Sequence, residues 1–198
     1  DPVSKKRLEK LIAQAISINP LGITIDHFRF AGEWEVREQS LKNSHLECSH
    51  CRGKNRGVEL AKIAKWLRSL VPLDIDLGYY AVPFASKKIT IIGQEHKLLG
   101  EIFDYICPMI YHRMINKSVD YIHEFTQYLS DLTDKLIIPI IAVKDMPDTL
   151  PDQIGESILE QEYYQAVKVP SAGVYWFSWD GAVEKKKTDI ISKIWKDD

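Results

Sequence analysis

Four carboxylates stand where a chain of alternating strands and helices would expose them. Asp26 follows the apolar residues 21–25, Glu33 lies in the polar segment after it, Asp145 follows residues 136–143, and Asp180 follows residues 172–179. Two carboxylates facing each other across a glycosidic bond can act as acid and as base or nucleophile. Arg29 is close enough in sequence to pair with Asp26 and keep it ionised. His27 alternates away from Asp26 and reads as a packed or surface residue. Tyr80, Tyr111, His112, Trp176 and Trp179 sit at the ends of the same apolar stretches. Aromatic rings there would stack on the C–H faces of a sugar while its hydroxyls meet the acids. These five and Arg29 are therefore the candidate substrate-binding residues.

A second cluster lies in residues 45–51, His45-Leu-Glu-Cys48-Ser-His50-Cys51. Its spacing suits metal ligands, but a zinc site of the usual kind would carry a further Cys/His pair. A short disulfide or plain thiols remain open readings. No metal or other cofactor is assigned from the sequence.

The elements that would position these groups follow from composition and periodicity. The chain has 198 residues, 45% of them hydrophobic and 27% charged, with a net charge of −2. That composition excludes disorder for most of the chain. The charge balance gives no electrostatic reason to expect nucleic acid, and no apolar run is long enough to cross a membrane. With only three Cys, the core must come from packing rather than from disulfides.

Five apolar runs, at residues 21–25, 73–82, 105–111, 136–143 and 172–179, are rich in β-branched and aromatic residues and read as strands. Several are apolar at nearly every position, which suits parallel strands covered on both faces. Leu8, Leu11, Ile12, Ala15 and Ile16 keep a helical spacing. So do Val58, Ala61, Ala64, Leu67 and Leu70, and Val119, Ile122, Phe125, Leu129 and Leu132. Pro151 can open a further helix, and Ile190, Ile191, Ile194 and Trp195 a last one. Three of the four strand intervals fit the roughly 30 residues that a βα unit needs.

This alternation predicts an α/β chain with a parallel sheet. No glycine-rich phosphate loop follows any strand, which argues against a nucleotide-binding open sheet. The expected architecture is a single (β/α) barrel-like domain over residues 1–198, partial because a full barrel needs eight strands. It would be the C-terminal part of a longer barrel or a reduced version of one, its open edges covered by a second copy or by a preceding segment. On that architecture Asp104, at the start of a strand, belongs to the stabilising end.

The motifs also resemble a known group. "GITIDHFRF" resembles the "DYIRF" strand of glycoside hydrolases of the (β/α)8-barrel type, "FDYICPMIYH" their "DYISPMIYP" strand, and "AGVYWFSWD" their closing strand. The resemblance implies a barrel cleaving glycosidic bonds of a poly- or oligosaccharide. Asp26 matches the acid of the first motif, Arg29 its arginine, and Tyr111 the aromatic that ends the second. His27 and His112 depart from the usual Tyr and Pro. Asp26 is the first catalytic candidate; Asp180, Asp145 or Glu33 would be the second. The alternatives are a non-catalytic carbohydrate-binding or scaffold barrel, and a metal-dependent hydrolase using His45, Cys48, His50 and Cys51. An extracellular setting follows from the resemblance alone.

Overall fold

A computed structural model describes residues 2–30, 54–84, 87–147 and 151–196. Its elements run α1 (Pro2–Ile16), β1 (Gly22–Ile25), α2 (Arg56–Leu70), β2 (Asp76–Ala81), α3 (Lys87–Ile92), α4 (His96–Gly100) and β3 (Tyr105–Pro108). Then follow α5 (Tyr121–Thr133), β4 (Leu136–Ile137), β5 (Ile140–Ala142), α6 (Glu156–Ala166), β6 (Tyr175–Phe177), α7 (Trp179–Glu184) and α8 (Thr188–Lys196).

The α/β alternation is as expected, but the barrel is not. Among the described residues the strands form a four-stranded sheet, in the order β1-β2-β3-β4, and a separate two-stranded sheet, β5-β6. This is neither one closed eight-stranded barrel nor a continuous part of one, so the barrel expectation and the family resemblance built on it are corrected. Pro139 gives a physical reason. Residues 136–143 read as one strand, yet proline has no N–H to place in a ladder. The stretch breaks into β4 and β5 around it. Isolated parallel bridges, Met109 with Ile140 and Ile137 with Ser171, flank the break. The chain divides into two compact units, Asp1–Ile106 and Cys107–Asp198, with the boundary inside β3.

In the first unit β1 and β2 are parallel, with Ile23 opposite Leu77 and Ile25 opposite Tyr79. Asn55 caps α2 by accepting from the Val58 N–H. Gly57, Leu60, Ala64 and Leu67 form the buried stripe of that helix, at the i, i+3, i+4 spacing that turns one face inward. Phe28, Tyr79 and Phe103 make an aromatic cluster, with Tyr79 and Phe103 4.8 Å apart between ring centres. Gln94 is fully buried. It donates to the carbonyls of Phe28 and Tyr80 and accepts from the Val82 N–H. One amide thus joins the segment after β1 to the carboxyl end of β2 and the residue that follows it. At the opposite end of the strands Asp104 accepts from Arg68 at 2.7 Å and from the Leu77 N–H at 2.8 Å, a structural tie.

In the second unit β5 and β6 are parallel, with Ile140 opposite Tyr175 and Ala142 opposite Phe177. The Val143 N–H donates to the Phe177 carbonyl and carries the pairing one residue further. Ile122, Phe125, Thr126 and Leu129 are the buried face of α5. Leu159, Glu162, Tyr163 and Ala166 are that of α6. This helix does not open at Pro151. Gly155 precedes its first turn, and residues 151–155 are non-helical, with Ile154 dropped into the core. Cys107 is wholly buried, and burial pushes its thiol up to about 12.

Gly78 is the glycine whose size matters most here. The Tyr105 ring lies over it, and a methyl group in its place would overlap that ring. Tyr105 is itself held by a 2.7 Å hydrogen bond between its hydroxyl and that of Thr24. Gly78→Ala is expected to destabilise the protein by about 1–3 kcal/mol, the usual result of overpacking. Gly155→Ala, whose added methyl meets nothing within 4 Å, should change stability by under about 1 kcal/mol. Urea midpoints at unchanged slope measure both.

Candidate ligand-binding site in the second unit

Parallel pairing brings the carboxyl ends of β5 and β6 to the same side of their sheet. Lys144 and Asp145 leave β5 there, and Ser178, Trp179 and Asp180 leave β6. Ser178 caps α7 by accepting from the Gly181 N–H at 3.1 Å. The segment after β3 supplies Tyr111, His112 and Arg113.

Nearly every charge in this region has an internal partner. Arg113 grips Asp145 with two nitrogens, at 2.7 and 3.3 Å, and also donates to the Gln153 side chain. The Gln153 N–H donates to Asp145 at 2.8 Å. Burial alone would raise the Asp145 pKa, but Arg113 and this N–H outweigh it and hold the carboxyl below its ordinary value. Lys187, almost fully buried, donates to Asp152 and to the Val143 carbonyl, each at 2.6 Å. Lys187 and two backbone N–H groups lower the Asp152 pKa against the effect of burial. Lys144 meets Glu184 at 3.1 Å.

His112 and Glu162 form the deepest pair. Glu162 is 1% exposed, because it occupies a core-facing position of α6. Its Oε1 is 2.9 Å from His112 Nε2, and His112 Nδ1 is 2.9 Å from the Lys117 carbonyl. Its other oxygen, Oε2, is buried without a hydrogen-bond partner. Tyr111, Arg113, Asp145 and Glu162 help to line a small cavity of about 10 Å³. A wider cleft of about 500 Å³ shares His112, Arg113, Met114, Asp145 and Met146 with it.

Aromatic rings stand beside this cluster. Tyr111 stacks on Phe177, with ring centres 5.5 Å apart. Phe177 is 45% exposed and Trp179 66% exposed. Tyr175 is exposed as well, since it shares a face of β6 with Phe177. Trp176 points the other way and lies flat on Tyr163, with ring centres 5.9 Å apart.

The candidate residues are thus divided. Asp145, Asp180, Tyr111, His112, Trp176 and Trp179 lie in the second unit, and Asp26, Arg29 and Tyr80 in the first. Asp180 is exposed in the first turn of α7. The Asp26 carboxylate accepts from the His27 N–H at 2.6 Å and faces the His27 ring at 3.2 Å; its partner is His27 rather than Arg29. Glu33 lies outside the described residues, as do His45, Cys48, His50 and Cys51. Among the described residues no group of three or more His, Cys, Asp or Glu could hold a metal. Glu162 and Phe177 escape the motif reading. Glu162 does leave a trace in the sequence, as a charged residue at a core position of the stripe Leu159-Glu162-Tyr163-Ala166.

The structure overturns the glycoside-hydrolase expectation, and with it the expectation of a hydrolytic enzyme. It required one closed barrel with paired carboxylates at its mouth, and the strands form two separate sheets. No protein-family model matches the chain, and no curated protein matches it either.

The His112–Glu162 pair gives stability a pH dependence. Burial opposes the charged imidazole, but the bonds to Glu162 and to the Lys117 carbonyl outweigh it and raise the His112 pKa above 6.5. Burial raises Glu162 above 4.5, with His112 opposing. Both groups hold protons more tightly folded than unfolded, so unfolding releases protons. The contribution of this pair is expected to be fully present below the unfolded value of Glu162, near 4.5, and to fall until pH passes the raised value of His112. Buried His96, its pKa pushed down to about 4, works in the opposite direction below about 6.5, but it does so in both proteins, so from pH 5 to about 8 the thermal midpoint of the wild type should fall relative to that of Glu162→Gln as pH rises.

Proposed function

We propose that the carboxyl end of the β5–β6 sheet is a binding surface for a neutral carbohydrate. The observation that carries this reading is the solvent-facing aromatic group, Phe177 stacked on Tyr111 with Trp179 in the next turn, beside a polar cluster whose charges are internally matched. Apolar rings half open to water attract the C–H face of a pyranose, because stacking removes apolar surface from water on both partners. The matched charges leave little net field to draw in a phosphate or a metal ion. They still offer the hydrogen-bonding edges of Arg113, Asp145 and Gln153 to hydroxyl groups.

This surface recognises its sugar and cleaves no bond. Both oxygens of Asp145 are held by Arg113 or a backbone N–H, and Asp152 is held by Lys187, so neither is a free acid or nucleophile. It is tested with hexaoses of β-1,4- and α-1,4-linked glucose, β-1,4-xylose, β-1,4-mannose and β-1,4-N-acetylglucosamine, titrated by calorimetry. At least one should bind. Phe177→Ala and Trp179→Ala should each weaken it by about 3–10-fold, the equivalent of one aromatic contact. Binding unchanged in both variants would refute the surface, as would failure of every hexaose.

A further inference from the structure

The first unit carries a surplus of positive charge that the net charge of the chain hides. Helices α1 and α2 each hold four Lys or Arg against one Glu, in a chain whose net charge is −2. Most of the α2 cations are used inside the molecule. Arg68 holds Asp104, Arg56 donates to the Ile91 carbonyl, and Lys62 meets Glu59 at 2.7 Å. Among the described residues, Lys6, Arg7, Lys10 and Lys65 meet no carboxylate. All four are exposed.

Helical geometry gathers these groups. Ile12 is the buried residue of α1. Val3, Arg7, Lys10 and Gln14, at i, i+4, i+7 and i+11, form the stripe opposite it, with Lys6 alongside. No acid lies in that stripe, because Glu9, the one Glu of the helix, is turned to the half-buried side. Lys5 Nζ lies 5.1 Å from the centre of the Trp66 ring and so ties α1 to α2 next to Lys65. Apolar side chains stand among the cations, Val3 75% exposed and Leu11 53% exposed. Nucleic acid or an acidic peptide would use the cations and leave Val3 and Leu11 against polar groups. The headgroup layer of an anionic bilayer uses both, since apolar side chains reach the acyl boundary while Lys and Arg meet lipid phosphates.

We propose that the outer face of α1, with Lys65 of α2, docks on a bilayer of anionic phospholipid. The helix lies flat in the headgroup layer. Val3 and Leu11 enter that layer, and Lys6, Arg7 and Lys10 meet the lipid phosphates and carboxylates. Docking at a surface needs no membrane-crossing run. This face shares no residue with the carbohydrate surface and does not depend on it.

The full chain is tested by flotation with vesicles of phosphatidylcholine alone and of phosphatidylcholine with about 30% phosphatidylserine. At about 0.05 M salt it should float with the charged vesicles only, and about 0.5 M salt, where charges are screened, should release it. Each cation at the surface contributes about fivefold to partitioning, so Lys6→Gln with Lys10→Gln should lower it about 25-fold. Leu11→Ser should lower it about 3–10-fold. Lys186→Gln with Lys196→Gln, an equal change of charge in the second unit, should stay within about twofold of the wild type. In the wild type, amide exchange in residues 2–16 should slow on the charged vesicles, a readout that needs no variant. Absence of flotation with those vesicles refutes the docking, as do equal losses in the two double variants. Tighter binding to a DNA or RNA duplex of about 20 base pairs, unchanged by Leu11→Ser, gives the face to nucleic acid and overturns the proposal. A lipid-free dimer of the wild type that Lys6→Gln with Lys10→Gln dissolves gives it to a second copy, with the same result.

Discussion

The parallel pairing of β5 with β6 is the constraint on which the second unit depends. Parallel strands deliver their carboxyl ends to one side of a sheet, and each must be followed by a crossover. Here the ladder runs from Ile140 opposite Tyr175 to the bond between Val143 and Phe177. Lys144 and Asp145 therefore emerge beside Ser178 and Trp179 without any further contact being needed to gather them. The capped turn at Ser178 starts α7 at once.

The charged groups at these ends share a second property. Arg113, Lys144 and Lys187 each meet a carboxylate within 3.1 Å. Lys187 is buried and Asp152 is partly covered, and because leaving a buried charge unpaired costs several kcal/mol, their bond stabilises this segment. It also anchors residues 151–155, which stay non-helical while Asp152 accepts from the N–H groups of Asp145 and Ile154. The surface left over is uncharged in sum and aromatic in relief.

The legible part of the fold lay in its regular spacings. The stripe from Val58 to Leu70 and that from Ile122 to Leu129 repeat at helical intervals, and both are helices. The apolar runs at 21–25, 73–82 and 105–111 contain β1, β2 and β3. What failed depended on single residues acting against their surroundings. Pro139 interrupts an apolar run that otherwise reads as one strand, because the missing N–H affects pairing and not hydrophobicity. The run at 172–179 hides a helix start, although Ser178 followed by Asp180 is a capping pattern. The short helices α3 and α4 span too few residues for periodicity to show.

The site was legible only in type. The sequence places aromatic and acidic residues at strand ends, but it does not reveal which acids are already held by cations. Arg113 and Asp145 are 32 positions apart, and Lys187 and Asp152 are 35 apart. Pairings at that range follow from tertiary geometry. Phe177 and Trp176 are neighbours of similar character, yet one faces water and the other lies flat on Tyr163. Strand alternation separates them onto opposite faces, but which face is covered depends on α6 and not on the strand itself.

The buried thiol of Cys107 makes β3 an internal timepiece. Alkylating reagents attack the thiolate, and in the closed strand this sulfur is both shielded and protonated, with its pKa near 12. Modification of Cys107 therefore waits for β3 to separate from its neighbours and let the sulfur ionise in water. The pace of that modification reads out how often β3 opens.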